Sequence, residues 1–197
     1  MRADVVIRHV ATARAPQNAV AIRDAQGSAD IRAVRQLFEA YADALGVDLC
    51  FQNFAQELAR LPGDYAPPRG ALLIAKSQAE AIGCVALRPL TDAVHRGHTG
   101  EVKRLYVVPC ARGSKTGRTL MHALIERARR LGYRELKLDT LASMTRARAL
   151  YASLGFRECA PYYHNPLPGT LYMSYALEAA GGDTTLRAAG DEGHLIK

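Results

Sequence analysis

A chain of 197 residues suffices for one domain with tails and is too short for two catalytic domains; at this length roughly 70% of the unfolded surface is buried around a single core. Twenty-six Lys and Arg against nineteen Asp and Glu give a formal charge of +7, and 49% hydrophobic with 23% charged residues is a folding composition, which excludes disorder as the main state. No run reaches the ~18 uncharged apolar residues of a membrane span, because the most apolar stretch, Ala71 to Leu90, is interrupted by Lys76, Glu80 and Arg88.

In chain order, MRADVVIRHV begins like an export signal, but Asp4, Arg8 and His9 break its apolar run, so a cytoplasmic location is expected. Residues 1–18 read as an N-terminal extension, 19–178 as the folded domain, and 179–197, rich in Gly, Thr and Asp, as a flexible tail. A strand at 19–23 precedes an amphipathic helix from about Asp30, in which Ile31, Val34, Leu37, Phe38, Tyr41 and Leu45 recur at helical spacing until Gly46. Asn53 and Gln56 have capping-box spacing and open a brief helix closed by Leu61-Pro62-Gly63. Strands follow at 71–76, 81–88 and 101–108, the first two as a hairpin. A surface helix at 119–131 carries a Leu120, Leu124, Ala128 stripe, a strand spans 134–140, a helix starts near Ser143, and a last strand covers 170–177. Gly132 and Gly155 stand where helices end in a left-handed residue. The order predicts an α/β layered domain with a mixed sheet.

Cys50, Cys84, Cys110 and Cys159 form no CxxC pair and no zinc-type spacing with His, so reduced thiols and no metal site are expected. The excess of cations suits an anionic partner, yet Arg is scattered without the aromatic interleaving of a nucleic-acid platform.

The most informative segment runs from Val107 to Arg118, a strand passing through a glycine-bearing turn straight into a helix. Helix N-termini present unpaired N–H groups and about half a positive charge, so this turn, with Arg112, Gly113, Ser114, Lys115, Thr116, Gly117 and Arg118, is suited to a pyrophosphate. It satisfies neither GxxxxGK[ST] nor GxGxxG.

That loop after Val-x-Pro, with Arg112, Lys115 and Gly117 in register, and the downstream Leu150-Tyr151-x-x-Leu154-Gly155-Phe156 resemble the GNAT superfamily of acetyl-coenzyme A dependent N-acetyltransferases over about Ala19 to Leu177. The resemblance implies a GNAT fold: a mixed, splayed β-sheet flanked by helices on both faces. It implies pantetheine between strands 101–108 and 134–140, with acetyl-CoA as co-substrate. Backbone N–H groups around Leu105 to Val107 would polarise its carbonyl. It implies a hydrogen bond from Tyr151 to the departing thiolate and makes Glu101, at the head of its strand, the candidate base; His95 and His98, in the loop just before, rank second on the ordinary pKa of histidine alone, without support from the motifs. Alternation would put Glu101, Lys103, Leu105 and Val107 on one face. Two positions depart from the pattern: Lys115 stands at the loop's central glycine, and Met144 where the family often has asparagine.

The acceptor side, again by resemblance, offers Tyr41, Phe51, Gln52, Asn53, Tyr65, Tyr162, Tyr163, His164 and Asn165, although Tyr41 also fits the core stripe. The expected activity is acetyl transfer to a primary amine of a small polar molecule, by direct attack in a ternary complex. The expected partners are that amine and, as an option, a second copy in a homodimer, with neither nucleic acid nor membrane. A non-catalytic acyl-CoA sensor with the same fold is the alternative that Lys115 and Met144 motivate; a basic nucleic-acid binder rests on charge alone.

Overall fold

The computed structural model describes residues 20–47, 53–91 and 98–177. The expected extension and tail, and Phe51, Gln52 and His95, lie outside the described residues. The elements are β1 (Val20–Asp24), α1 (Gly27–Leu45), α2 (Phe54–Arg60), β2 (Ala71–Ser77), β3 (Glu80–Pro89), β4 (Thr99–Val107), α3 (Thr116–Arg130), β5 (Glu135–Leu141), α4 (Thr145–Ser153), β6 (Arg157–Cys159) and β7 (Thr170–Ala176). The three-residue β6 is an addition to the strands expected from the sequence.

One seven-stranded sheet is ordered β1-β2-β3-β4-β5-β7-β6. Every pair is antiparallel except β4 and β5, which are joined through α3 and run parallel. A core forms on each face. Leu120, Leu124 and Ala128 of α3 meet Leu73, Val85, Leu87, Val102, Leu136 and Leu138. On the other face Val34, Leu37 and Phe38 of α1 cover Leu72, Ile74, Ala86 and Tyr106.

Two local expectations are corrected. Helix α1 starts at Gly27, not near Asp30, because Asp30 belongs to its first turn and its buried carboxylate accepts the Gln26 N–H at 2.9 Å. The same carboxylate pairs with Arg23 and, at 2.9 Å, with Lys76, tying α1 to β1 and β2. The capping box at Asn53 does not form: Asn53 has φ 55° and caps nothing with its side chain. Gly132 and Gly155 take the left-handed conformation expected of them, with φ of 80° and 97°. Among the described residues no helix is long and apolar enough to cross a membrane.

Candidate active site

The parallel pairing of β4 and β5 is short, joining Thr99, Gly100 and Glu101 to Glu135, Leu136 and Lys137. Beyond it β4 stays with β3, and β5 stays with β7 as far as Leu141, so the two central strands part. β4 also bulges where they part. Cys84 lies opposite Tyr106 and Ala86 opposite Lys103, so Arg104 and Leu105 together face the single Val85. Arg104 has φ 58°, a left-handed conformation costing about 1–2 kcal/mol for a side chain with a Cβ.

The bulge overturns the expected alternation. Glu101 and Lys103 lie on the α1 face, where Glu101 meets Arg88 and Lys103 meets Asp139. Leu105 and Val107 instead pack with the α3-side core, because the extra residue reverses parity.

Between the parted strands lies a narrow cleft lined by Tyr41 and Leu45 of α1, Val102 to Leu105, Asp139 to Leu141, Met144, Tyr151 and Leu167. Tyr151 reaches it from α4, its ring tilted against Phe156 at 5.8 Å. It is buried, and among the described residues its hydroxyl has no hydrogen-bond partner. Burial pushes its pKa well above the ordinary phenol value, so the hydroxyl keeps its proton. Met144, where an amide was expected, receives a weak hydrogen bond from Thr140 at 3.7 Å and makes that wall apolar.

Charges in and behind the cleft are paired. Lys103 Nζ donates to Asp139 Oδ1 at 3.1 Å and lies 3.5 Å from Glu101 Oε1. Burial raises the Asp139 pKa, but the Lys103 ammonium and its hydrogen bond more than offset this and hold the carboxyl below its ordinary range. Glu101, only 1% exposed, accepts from Arg88 Nε at 2.7 Å on one oxygen and from the Tyr162 hydroxyl at 3.1 Å on the other. It does not line the cleft. Arg104 donates to both oxygens of Glu57, at 3.0 and 2.6 Å, and Tyr65 donates to Glu57 at 2.6 Å. The opposed effects of burial and Arg104 leave the Glu57 pKa lowered.

The loop beyond β4 has the geometry of an anion cradle. α3 begins without a side-chain cap, and none of the backbone N–H groups from Gly113 to Arg118 finds a backbone acceptor among the described residues. Arg112 folds back onto the Val107 carbonyl at 3.1 Å and Arg118 onto Ser153 at 2.6 Å, and Ser114 is bonded to Ala111 and Thr116. Both arginines keep further N–H donors. Lys115 is exposed and takes φ 63°, the left-handed conformation a glycine would supply. A Cβ at Gly117 would find only ordinary contacts with Leu150 and Val107, at 3.6 and 3.8 Å, so the protein itself leaves that face open.

Of the residues expected on the acceptor side, Tyr162, Tyr163, His164 and Asn165 line an open pocket beside β7, together with Tyr172. Tyr65 is buried beneath α2, and His98 is exposed before β4, outside the residues lining the cleft. Sequence reasoning passed over Asp139, Glu57 and Arg104. For Asp139 a signal existed: Leu136, Leu138 and Thr140 are the buried alternates of β5, leaving Asp139 as an acid on its other face.

Residues 32–156 match the Acetyltransferase (GNAT) family model. An uncharacterized N-acetyltransferase of Schizosaccharomyces pombe is 42% identical over 147 residues, covering 73% of this chain and 86% of that one. A GNAT-family acetyltransferase structure from Staphylococcus aureus superimposes with TM-score 0.67 at 17% identity, over 81% of this chain and all of that one. A structure from Salmonella typhimurium, solved with its cofactor acetyl-CoA, gives TM-score 0.61 at 23% identity, over 85% of this chain and all of that one.

Proposed function

The chain belongs to the GNAT family of acetyltransferases, which use acetyl-CoA, and from that premise we propose that it transfers the acetyl group to the primary amine of a small polar acceptor by direct attack in a ternary complex. The observation that carries the reading is the buried Tyr151 hydroxyl, without a hydrogen-bond partner among the described residues, in the cleft where β4 and β5 part. A buried hydroxyl without a partner costs about 1–3 kcal/mol, which supports a catalytic role completed by a ligand in this cleft.

Acetyl-CoA supplies the activated acetyl group. The N–H groups of Gly113, Ser114, Lys115, Thr116, Gly117 and Arg118 would hold its pyrophosphate, with Arg112, Lys115 and Arg118 adding charge. Leu105 and Val107 would flank its pantetheine arm. As the amine lone pair forms the C–N bond, the C–S bond breaks and its electron pair leaves on sulfur. Tyr151 hydrogen-bonds that sulfur. The proton shed by the amine has a route inward: Tyr162 lines the acceptor pocket and donates to Glu101, so Glu101 acts as base through the Tyr162 hydroxyl.

The acceptor is a compact monoamine. Glu57, Glu101 and Asp139 are each engaged by a cation of the protein, which leaves none of these three carboxylates for a polycation. Calorimetric titration with acetyl-CoA, followed by thiol release across an amine panel, tests the reading. Binding with turnover supports it; binding without turnover supports the sensor alternative; neither contradicts both.

A further inference from the structure

We propose that the acceptor is a primary amine carrying one uncharged aromatic ring, which seats among the rings of Tyr162, Tyr163 and Tyr172 while the amine passes Leu167 into the cleft. The inference rests on the acetyl-transfer reading above and narrows its small polar acceptor to a molecule polar at the amine end and aromatic at the other.

The open pocket beside β7 and the cleft between β4 and β5 are neighbours. Leu167 lines both. Asp139 of the cleft accepts from Asn165 of the pocket at 3.2 Å, so one hydrogen bond crosses from one to the other. A molecule that fills the pocket therefore reaches the cleft past a single side chain.

The wall of the pocket is built from rings. Tyr162 lies 5.3 Å from both Tyr163 and Tyr172, and Tyr163 lies 5.7 Å from Tyr172, with the three pairs inclined at 56°, 76° and 86°. These are the separations and tilts at which aromatic rings attract edge to face, and a fourth ring extends the same packing. The hydroxyls are engaged within the protein. Tyr162 donates to Glu101 at 3.1 Å, Tyr172 donates to the Tyr163 carbonyl at 2.9 Å, and the Tyr163 hydroxyl accepts from Asn165 at 3.0 Å.

Asn165 and Thr170 are engaged likewise. Asn165 Oδ1 accepts the Leu167 N–H at 3.0 Å, and Thr170 donates to the Leu167 carbonyl at 2.8 Å. An amino sugar, held mainly through its hydroxyls, would have to compete with these bonds, whereas a ring uses the surface they leave. His164, which also lines the pocket, is exposed, and Gly169 adds only backbone.

Charge selects against a second fixed cation. Lys103 Nζ lies 5.9 Å from the centre of the Tyr163 ring, and Lys137 Nζ lies 5.6 Å from that of Tyr162. Each ammonium already draws on the negative face of its ring, so a quaternary ammonium or a polyamine meets repulsion where a neutral ring does not. The internal bonds of the loop, with the Ala142 N–H on the Gly169 carbonyl at 2.8 Å, set the pocket before any acceptor arrives. Binding energy from a part of the acceptor remote from the reacting atoms then appears in KM.

The test compares kcat/KM of the wild type, at saturating acetyl-CoA, on 2-phenylethylamine, 2-cyclohexylethylamine, n-butylamine and glucosamine. 2-Phenylethylamine is expected to exceed n-butylamine and glucosamine at least tenfold, and to exceed 2-cyclohexylethylamine, which matches its size without a π face, about fivefold. Tyr163→Leu and Tyr172→Leu, with melting temperatures measured alongside, are expected to bring the phenyl-to-cyclohexyl ratio toward one through KM. Tyr163 stands in the loop, so its variant remains readable if the buried Tyr172→Leu fails to fold. Turnover in which the cyclohexyl amine equals the phenyl amine, or glucosamine is the best of the four, overturns this proposal alone; so does a ratio that neither variant moves. A wild type that binds acetyl-CoA and acetylates no amine removes the acetyl-transfer reading, and this proposal with it.

Discussion

Lys103 Nζ meets Asp139 Oδ1 at 3.1 Å across strands whose backbones have already separated, since β4 and β5 last pair at Glu101 and Lys137. The side chains bridge the mouth of the cleft that the backbones open. Both residues are largely buried, at 6% and 13% exposure, so removing one partner strands the other's charge. Lys103→Met is expected to destabilise the fold by on the order of 3 kcal/mol, read from the urea midpoint, with Lys103→Met/Asp139→Leu milder than either single change. A double variant as unstable as the sum of the singles would show that the two are not coupled.

Lys115 carries a backbone cost and an electrostatic benefit at one position. Its φ of 63° is one a glycine adopts freely. Lys115→Gly is therefore expected to stabilise the protein by up to about 1 kcal/mol while weakening acetyl-CoA binding at low salt and not at high salt, because an exposed ammonium is screened over ~8 Å at physiological ionic strength. Tighter binding at every salt concentration would make the side chain an impediment to phosphate.

Much of the fold was legible because it depends on periodicity and punctuation. The stripes of α1 and α3, the β2–β3 hairpin and the left-handed Gly132 and Gly155 all follow from local pattern. The uncapped start of α3 was legible for the same reason, since a strand, a glycine turn and a helix start are contiguous. The bulge was not. Arg104 takes a positive φ that no residue type at that position advertises, and its compensation by Glu57 comes from 47 residues away. With the bulge unseen, Leu105 and Val107 were assigned to the face of Glu101. The pairing of Asp139 with Lys103, 36 residues apart, was hidden likewise, because it follows from strands lying side by side rather than from spacing.

Three paired carboxylates set the acid limit of the fold. Hydrogen bonds from Arg23 and the Gln26 N–H hold the Asp30 pKa low; in Asp139 and Glu57, burial acts upward and is outweighed by Lys103 and Arg104. Folded-state values below the unfolded ones mean that the unfolded chain binds more protons near pH 4, so stability rises with pH there. The stabilisation is present above the ordinary carboxylate range of ~4 and is lost as pH falls through it. Chemical denaturation between pH 3 and 6 should show this slope, and Asp30→Asn should flatten it. An unchanged slope would mean that Asp30 is not depressed in the folded state.

Tyr162 lines the open pocket beside β7 and its hydroxyl donates to Glu101, the route proposed for the amine's proton. Burial, reinforced by Glu101, pushes the Tyr162 pKa far up, so the hydroxyl stays protonated and can pass its proton to Glu101 only as it takes one from the amine. Tyr162→Phe and Glu101→Gln are expected to give similar losses, about 10²-fold in kcat, with no further loss in the double variant. Full activity of Tyr162→Phe beside a strongly impaired Glu101→Gln would break the relay.

Tyr151→Phe is the most direct test of the central claim. The change keeps the ring that packs against Phe156 and deletes only the hydroxyl. The rate of acetyl transfer, measured with acetyl-CoA affinity and melting temperature on the same samples, is expected to fall by ~10²–10⁴ while the other two stay put, because the hydrogen bond to sulfur is made mainly in the transition state. Full activity, or a melting temperature that drops with the rate unchanged, would contradict the assignment of Tyr151 to the departing thiolate.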